Sequence, residues 1–184
     1  MSPSRRCRTD RPSETEAAAL ACFEARVRRY QHSLFAFLGR MGFADAIVEE
    51  LAQETFLRAW RSRSRFDERR GRYSTWLFAI ARNVARDALE RRERTVDVPD
   101  GERVARARGH WRASDEQERD ELRRRLRAAL LALGDDDREA LALGCVEALS
   151  SEAAANVVGC SPAAFRTRLS RARERLRHAL EENA

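Results

Sequence analysis

Apolar residues recur three and four apart along nearly all of the chain, and no stretch alternates with period two, so the pattern is that of an all-α protein. The helical period runs from Glu14 to about Arg94, with breaks at Gly39 to Gly42 and around Phe66 to Gly71. It resumes near Asp115 and is interrupted at Gly134, near Leu149 and at Gly159. Between the two blocks, Thr95 to Ser114 carries Pro99, Gly101 and Gly109 with little apolar content, the composition of a linker. The first thirteen residues are polar and arginine-rich without periodicity. The pattern predicts a disordered tail over 1–18 and a helical domain over 19–94. A flexible linker over 95–114 and a second helical domain over 115–184 follow.

The clearest local pattern is Ser161 to Arg177. Ser161 then Pro162 signals a helix start, a capping hydroxyl followed by a ring that fits the first helical position. Phe165, Leu169, Ala172, Leu176 and Ala179 form one apolar stripe, and Ala163, Arg166, Thr167, Ser170 and Arg171 lie away from it. Upstream, Ser150 caps a short helix and Gly159 supplies the turn, which together make a helix-turn-helix. Such a second helix enters a major groove by its N-terminal residues. Ala163 and Ala164 let the backbone come close, and Arg166 and Arg171 reach guanine edges or phosphates. Many helical hairpins share this outline; the arginine face is what sets this one apart.

Two stretches in the first domain also carry more than a core pattern. In ELAQETFLRAW, Val48, Leu51, Ala52, Thr55, Phe56 and Ala59 share one face, and Glu50, Gln53, Glu54 and Leu57 share the opposite one. An ordinary solvated face fits the acids; Leu57 among them favours a docking surface for a basic partner. Downstream, Phe66 and Tyr73 bracket a loop holding Arg69, Arg70 and Arg72. Aromatics among arginines can stack an unpaired base while the cations hold its phosphates, or they can simply pin the loop. Trp76, Ile80, Val84 and Ala88 repeat every four residues, which assigns the tryptophan to the core.

Charge sharpens the picture. All 36 basic residues are arginine, and the chain carries net +6 with a pI near 10.0, which suits a polyanionic partner. Residues 44–60 are net −3, 61–94 net +6 and 161–177 net +5. Two basic surfaces, one per domain, suit a protein that touches nucleic acid twice. No apolar run reaches membrane-spanning length and no signal-peptide pattern opens the chain, so a cytoplasmic protein without membrane insertion is expected. Cys7, Cys22, Cys145 and Cys160 are scattered and read as small buried thiols of a reducing compartment. His32, His110 and His178 are isolated, and nothing resembles a nucleophile–base pair, a phosphate loop or a metal cluster. The expectation is a protein with no catalysis, no metal and no cofactor.

Taken together and in this order, EELAQETFLRAW, WLFAIARN and GCSPAAFRTRLSRAR resemble the core-binding helix, promoter-melting segment and recognition helix of one family. It is the extracytoplasmic-function group of bacterial sigma factors, and the resemblance covers about 20–93 and 120–182. It implies that Glu50, Leu51, Gln53, Glu54 and Phe56 match a motif that docks on the coiled coil of the polymerase's largest subunit. With Leu51 and Phe56 turned inward, direct contact falls to Glu50, Gln53, Glu54 and Leu57. Phe66, the loop through Tyr73, and Asn83 match a pocket for a flipped-out base of the minus-ten element. Ala163, Arg166, Thr167, Arg168 and Arg171 fall in the helix that reads the minus-thirty-five element. Core RNA polymerase (its largest-subunit coiled coil and its flap), promoter DNA and an anti-sigma factor are the implied partners, and the linker threads the polymerase cleft.

The chain departs from the family at Gly134, where Pro is usual, at Ala153, where Glu would complete a capping box with Ser150, and at Tyr73, where Phe is usual. PAAF also replaces the common Gly-Thr-Val before the reading arginine, so promoter preference does not transfer from relatives. Two other functions compete: a free-standing helix-turn-helix regulator that binds operator DNA without polymerase, and an adaptor that holds a partner protein through its acidic helix. The acidic face beside a melting-type loop disfavours the first, and the arginine face of the last helix disfavours the second.

Overall fold

The computed structural model describes residues 14–94, 113–146 and 148–182. The first thirteen residues of the expected tail and residues 95–112 of the expected linker lie outside the described residues. Regular structure among the described residues is all helical. It comprises α1 (Glu14–Arg40), α2 (Asp45–Arg61), a 3₁₀ turn (Arg63–Arg65), α3 (Tyr73–Arg94), α4 (Ala113–Leu131), α5 (Asp135–Gly144), α6 (Ser151–Val158) and α7 (Pro162–Glu182). Residues 14–18 of the expected tail are the first turn of α1, where Ala17 and Ala18 favour helix. Likewise α4 takes in the last two residues of the expected linker.

The first three helices pack around Leu34, Phe37, Leu38, Met41, Val48, Leu51 and Phe78, all buried, with Phe37 and Phe78 edge to face at 5.6 Å. The fully buried line of α3 is Leu77, Phe78, Ala81, Val84 and Ala85; of the series from Trp76 to Ala88 only Val84 is fully buried, and Trp76, Ile80 and Ala88 pack half-buried at the core's edge. A step of four residues turns a helix 40° past a full circle, so a strict four-residue repeat drifts off the core-facing side. Trp76 is only half-buried and sits among aromatics at the helix start.

In the second half, α7 lies across α5 and α6 with Phe165, Leu169 and Ala172 buried. The Ser150 hydroxyl accepts the Ala153 N–H at 3.1 Å and the Ser161 hydroxyl accepts the Ala164 N–H at 3.2 Å. Half of the capping box thus survives without the glutamate. Gly159 has φ +81°, a left-handed conformation in which glycine carries no Cβ penalty, and its N–H closes onto Ala155 O at 2.8 Å.

The two halves are not held apart. α1 packs on α5 and α3 on α6, and one buried cluster runs from Leu34 through Leu141 and Ala155 to Phe165. Two thiols also depart from expectation: Cys22 and Cys145 are exposed, and Cys160 is half-buried. Cys22 lies near the free end of α1 and Cys145 just after α5, both beyond the shared core.

Gly144, the last residue of α5, marks a tight approach to α7, because a Cβ there would lie 2.7 Å from both Leu169 methyls. Leu169 is buried and has little room to retreat. Gly144→Ala should therefore cost about 1–3 kcal/mol in urea unfolding, as overpacked sites do; an unchanged midpoint would show that Leu169 repacks freely.

Candidate nucleic-acid and partner interfaces

On α2 the inward face holds Val48, Leu51, Ala52, Thr55 and Ala59, while Phe56 is half-buried edge-on to Phe23 at 6.4 Å. The opposite face leaves Glu50, Gln53 and Leu57 exposed, with Leu57 47% accessible. Glu54 differs from its neighbours. It is half-buried and accepts from Arg58 Nε at 2.7 Å, and Arg58 also reaches Asp87 on α3 at 3.0 Å. The hydrogen bond to Glu54, then that to Asp87, raises the Arg58 pKa. Glu54 thus helps clamp α2 to α3 through Arg58, and the outward face is Glu50, Gln53 and Leu57.

The loop before α3 forms one wall of an open basin. Phe66 stands edge-on to Tyr73 at 5.2 Å and tilted against Trp76 at 5.3 Å. Arg26 of α1 lies over Tyr73 at 4.3 Å and over Phe66 at 5.5 Å. Arg69, Arg70 and Arg72 are exposed around the rim, joined by Arg29. The aromatics therefore pin the loop and line the basin at once. Asn83 is exposed on α3 and does not line it; ten residues of helix set it about 15 Å along from Tyr73. Sequence reading missed Arg26 and Arg29. Their spacing within the α1 pattern marks them only as a polar helix face, and nothing local shows which loop that face meets.

On α7, Ala163, Arg166, Thr167 and Arg171 are exposed, and the Thr167 hydroxyl donates to Ala163 O at 3.1 Å. Arg168 is half-buried and pairs with Asp136 at 3.6 Å. Arg175 pairs with Asp137. Thr167, Arg168 and Arg171 face the acidic start of α5 across a shallow cleft. The acids at 135–139 drew no functional reading from the sequence, because acids in a first helical turn are ordinary.

Residues 26–95 match the family model of sigma-70 region 2 and residues 123–176 that of sigma-70 region 4. The chain is 41% identical over 160 residues to the RNA polymerase sigma factor CarQ of Myxococcus xanthus, covering 87% of this chain and 90% of CarQ. It is 31% identical to the RNA polymerase sigma-H factor of Pseudomonas aeruginosa, over 86% of each chain. Among solved structures it is similar to the sigma factor RpoE bound to the anti-sigma factor NepR from Bartonella quintana. There the identity is 30% and the TM-score 0.66, over 86% of this chain and 96% of that one. CnrH in complex with the cytosolic domain of CnrY also has a TM-score of 0.66, over 92% of this chain and 96% of CnrH; at 24% identity it shows the shared fold. The chain belongs to the extracytoplasmic-function sigma factors of bacterial RNA polymerase. Its function is that of a sigma factor in transcription initiation rather than of a free-standing regulator.

Tyr73 gives a local test of the basin. Its hydroxyl is buried without a hydrogen-bond partner among the described residues, and burial raises its pKa above the ordinary 10.0. An unsatisfied buried hydroxyl costs stability, so Tyr73→Phe should leave the protein as stable or up to about 1 kcal/mol more so in urea. The folded pKa is the higher one, so above pH 10 the unfolded chain ionises first and wild type loses stability that the Phe variant keeps. A clear destabilisation at neutral pH would reveal a partner for the hydroxyl.

Proposed function

We propose the following division of labour for this sigma factor. The α2 face of Glu50, Gln53 and Leu57, with Glu54 behind it, docks on the coiled coil of the largest subunit of core RNA polymerase. The basin of Phe66, Arg69, Arg70, Arg72 and Tyr73 receives an unpaired base of the minus-ten element, and Asn83 contacts the strand further along α3. Ala163, Arg166, Thr167, Arg168 and Arg171 form the edge of α7 that enters the major groove of the minus-thirty-five element. The domain division is 19–94 for polymerase and minus-ten contacts and 115–184 for the minus-thirty-five contact. The flap of polymerase and an anti-sigma factor are further partners, the protein works in the cytoplasm, and it performs no catalysis.

The observation that carries this reading is the α7 edge, where two capping serines frame the turn and exposed Arg166 and Arg171 stand beside small residues at the helix tip. A helix so built can lie deep in a groove with its backbone close to the bases. Arg166 and Arg171 are the freest cations there, so Arg166→Ala or Arg171→Ala should cost about 1–3 kcal/mol at one base pair if that arginine reads a guanine. Equal loss on every sequence with a shallower salt slope would mark a phosphate contact. Undiminished promoter binding by both variants would remove α7 from the groove.

The polymerase contact is tested separately. Glu50→Arg/Gln53→Arg changes two exposed positions and should shift stability by under about 0.5 kcal/mol. Like charges brought against a basic coiled coil should weaken capture of core polymerase roughly a hundredfold. Full-strength capture by the folded variant would take this face out of the interface.

A further inference from the structure

From Pro162 to Thr167 the start of α7 carries few hydrogen-bonding side chains. Phe165 is buried, Ala163 and Ala164 are exposed, and only Arg166 and Thr167 are polar. Thr167 has already placed its proton: the hydroxyl donates to Ala163 O at 3.1 Å, one turn back on the same helix. A threonine so bonded holds its oxygen against the backbone and leaves its methyl as the group it presents. Ala163 and Thr167 are four residues apart and Ala164 and Thr167 three, so each pair stands about 5–6 Å apart between Cβ atoms. The tip of the helix is therefore a patch of exposed methyl groups from Ala163, Ala164 and Thr167. Exposed Arg166 borders the patch and exposed Arg171 follows Thr167 one turn on, while Arg168 is engaged by Asp136 at 3.6 Å.

We propose that this patch makes the protein select thymine in the minus-thirty-five element, by contact with the thymine C5-methyl group in the major groove. The selection rests on the placement of α7 in that groove proposed above. Thymine alone presents a methyl there, whereas adenine and cytosine present amino donors and guanine two acceptors. A methyl patch gains by covering another methyl. Against an amino group or an acceptor it removes water and returns no hydrogen bond. Thr167 cannot donate to thymine O4 or guanine O6 while its proton lies on Ala163 O. With base pairs about 3.4 Å apart, a patch of this width covers about two successive pairs. One or two adjacent thymines are selected, beside whichever base the flanking arginines reach.

The test uses holoenzyme assembled from core RNA polymerase and the full chain. Promoters are enriched from a library randomised through the minus-thirty-five element. Each thymine of the enriched element, on either strand, is then replaced singly by deoxyuridine. That change removes one methyl and leaves base pairing and every hydrogen-bonding group in place. Holoenzyme affinity should fall about fourfold at one or two adjacent thymines, the effect of one buried methyl-sized group. Thr167→Ser keeps the hydroxyl and loses the methyl, so at one of those positions it should bind thymine and deoxyuridine templates nearly alike. Thr167→Val keeps the methyl and loses the hydroxyl, so it should retain the preference of about fourfold at that position. Thr167 is exposed, and neither change should disturb the fold. An enriched element without thymine, deoxyuridine templates bound as tightly as their thymine parents, or a preference kept by Thr167→Ser and lost by Thr167→Val would each overturn methyl reading. Arg166→Ala and Arg171→Ala tell the two levels apart. If they weaken promoter binding while deoxyuridine has no effect, α7 lies in the groove and methyl reading alone fails. If they leave binding undiminished, α7 is not the groove helix and both readings fail.

Discussion

Glu139 carries a charge in a place with almost no water, and the packing of the two halves follows from how that charge is met. An unpaired carboxylate at such depth costs several kcal/mol, so α5 can seat against the first half only where cations wait for it. Arg82 and Arg86, one helical turn apart on α3, supply them from the same face. The neighbouring Arg138 is nearly as deep and is met in the other way, by the carbonyls of Leu130 and Leu133 at 3.0 and 2.7 Å. Those bonds fold the end of α4 around the start of α5. Asp137, in turn, ties α7 to the same turn through Arg175.

One consequence is that some arginines are spent on the fold while others stand exposed, and the structure separates the two groups. Guanidinium groups are planar, permanently charged and able to stack or bond along their edges. Arg26 spends that plane on Tyr73 and Phe66, and Arg58 spends its edge on Glu54 and Asp87. Arg69, Arg70 and Arg72 are exposed on the basin rim, and Arg166 and Arg171 on the α7 edge. Net charge alone overstates the surface open to DNA, because Arg168 and Arg175 already have carboxylate partners.

Much of the candidate site was legible because its elements are locally determined. The caps at Ser150 and Ser161, the turn at Gly159 and the stripe from Phe165 to Ala172 depend on residues a few positions apart, and each is present. The faces of α2 follow from helical period, apart from Glu54, which is half-buried against Arg58 one turn on, while Arg58 itself reaches Asp87 on another helix. Trp76 lies half-buried at the core's edge for a related reason: a four-residue repeat drifts around a helix, and the neighbours decide which part of the drift is covered. The stacking of Arg26 on Tyr73 and Phe66 had no local signal at all.

By itself, then, the sequence determined the all-helical class, the helix-turn-helix with its capped helices, the basic and acidic faces and the family. All of these rest on interactions within a few turns of one helix or on residue patterns carried along the chain. The joining of the halves was decided only by tertiary structure. A carboxylate reads as solvated wherever its own helix offers it no cation, and Glu139 meets Arg82 across 57 positions of sequence. Charge pairing of that kind depends on where helices cross, which no periodicity records. The sequence could show two basic surfaces, but only the packed chain shows that the same few acids hold arginines from both.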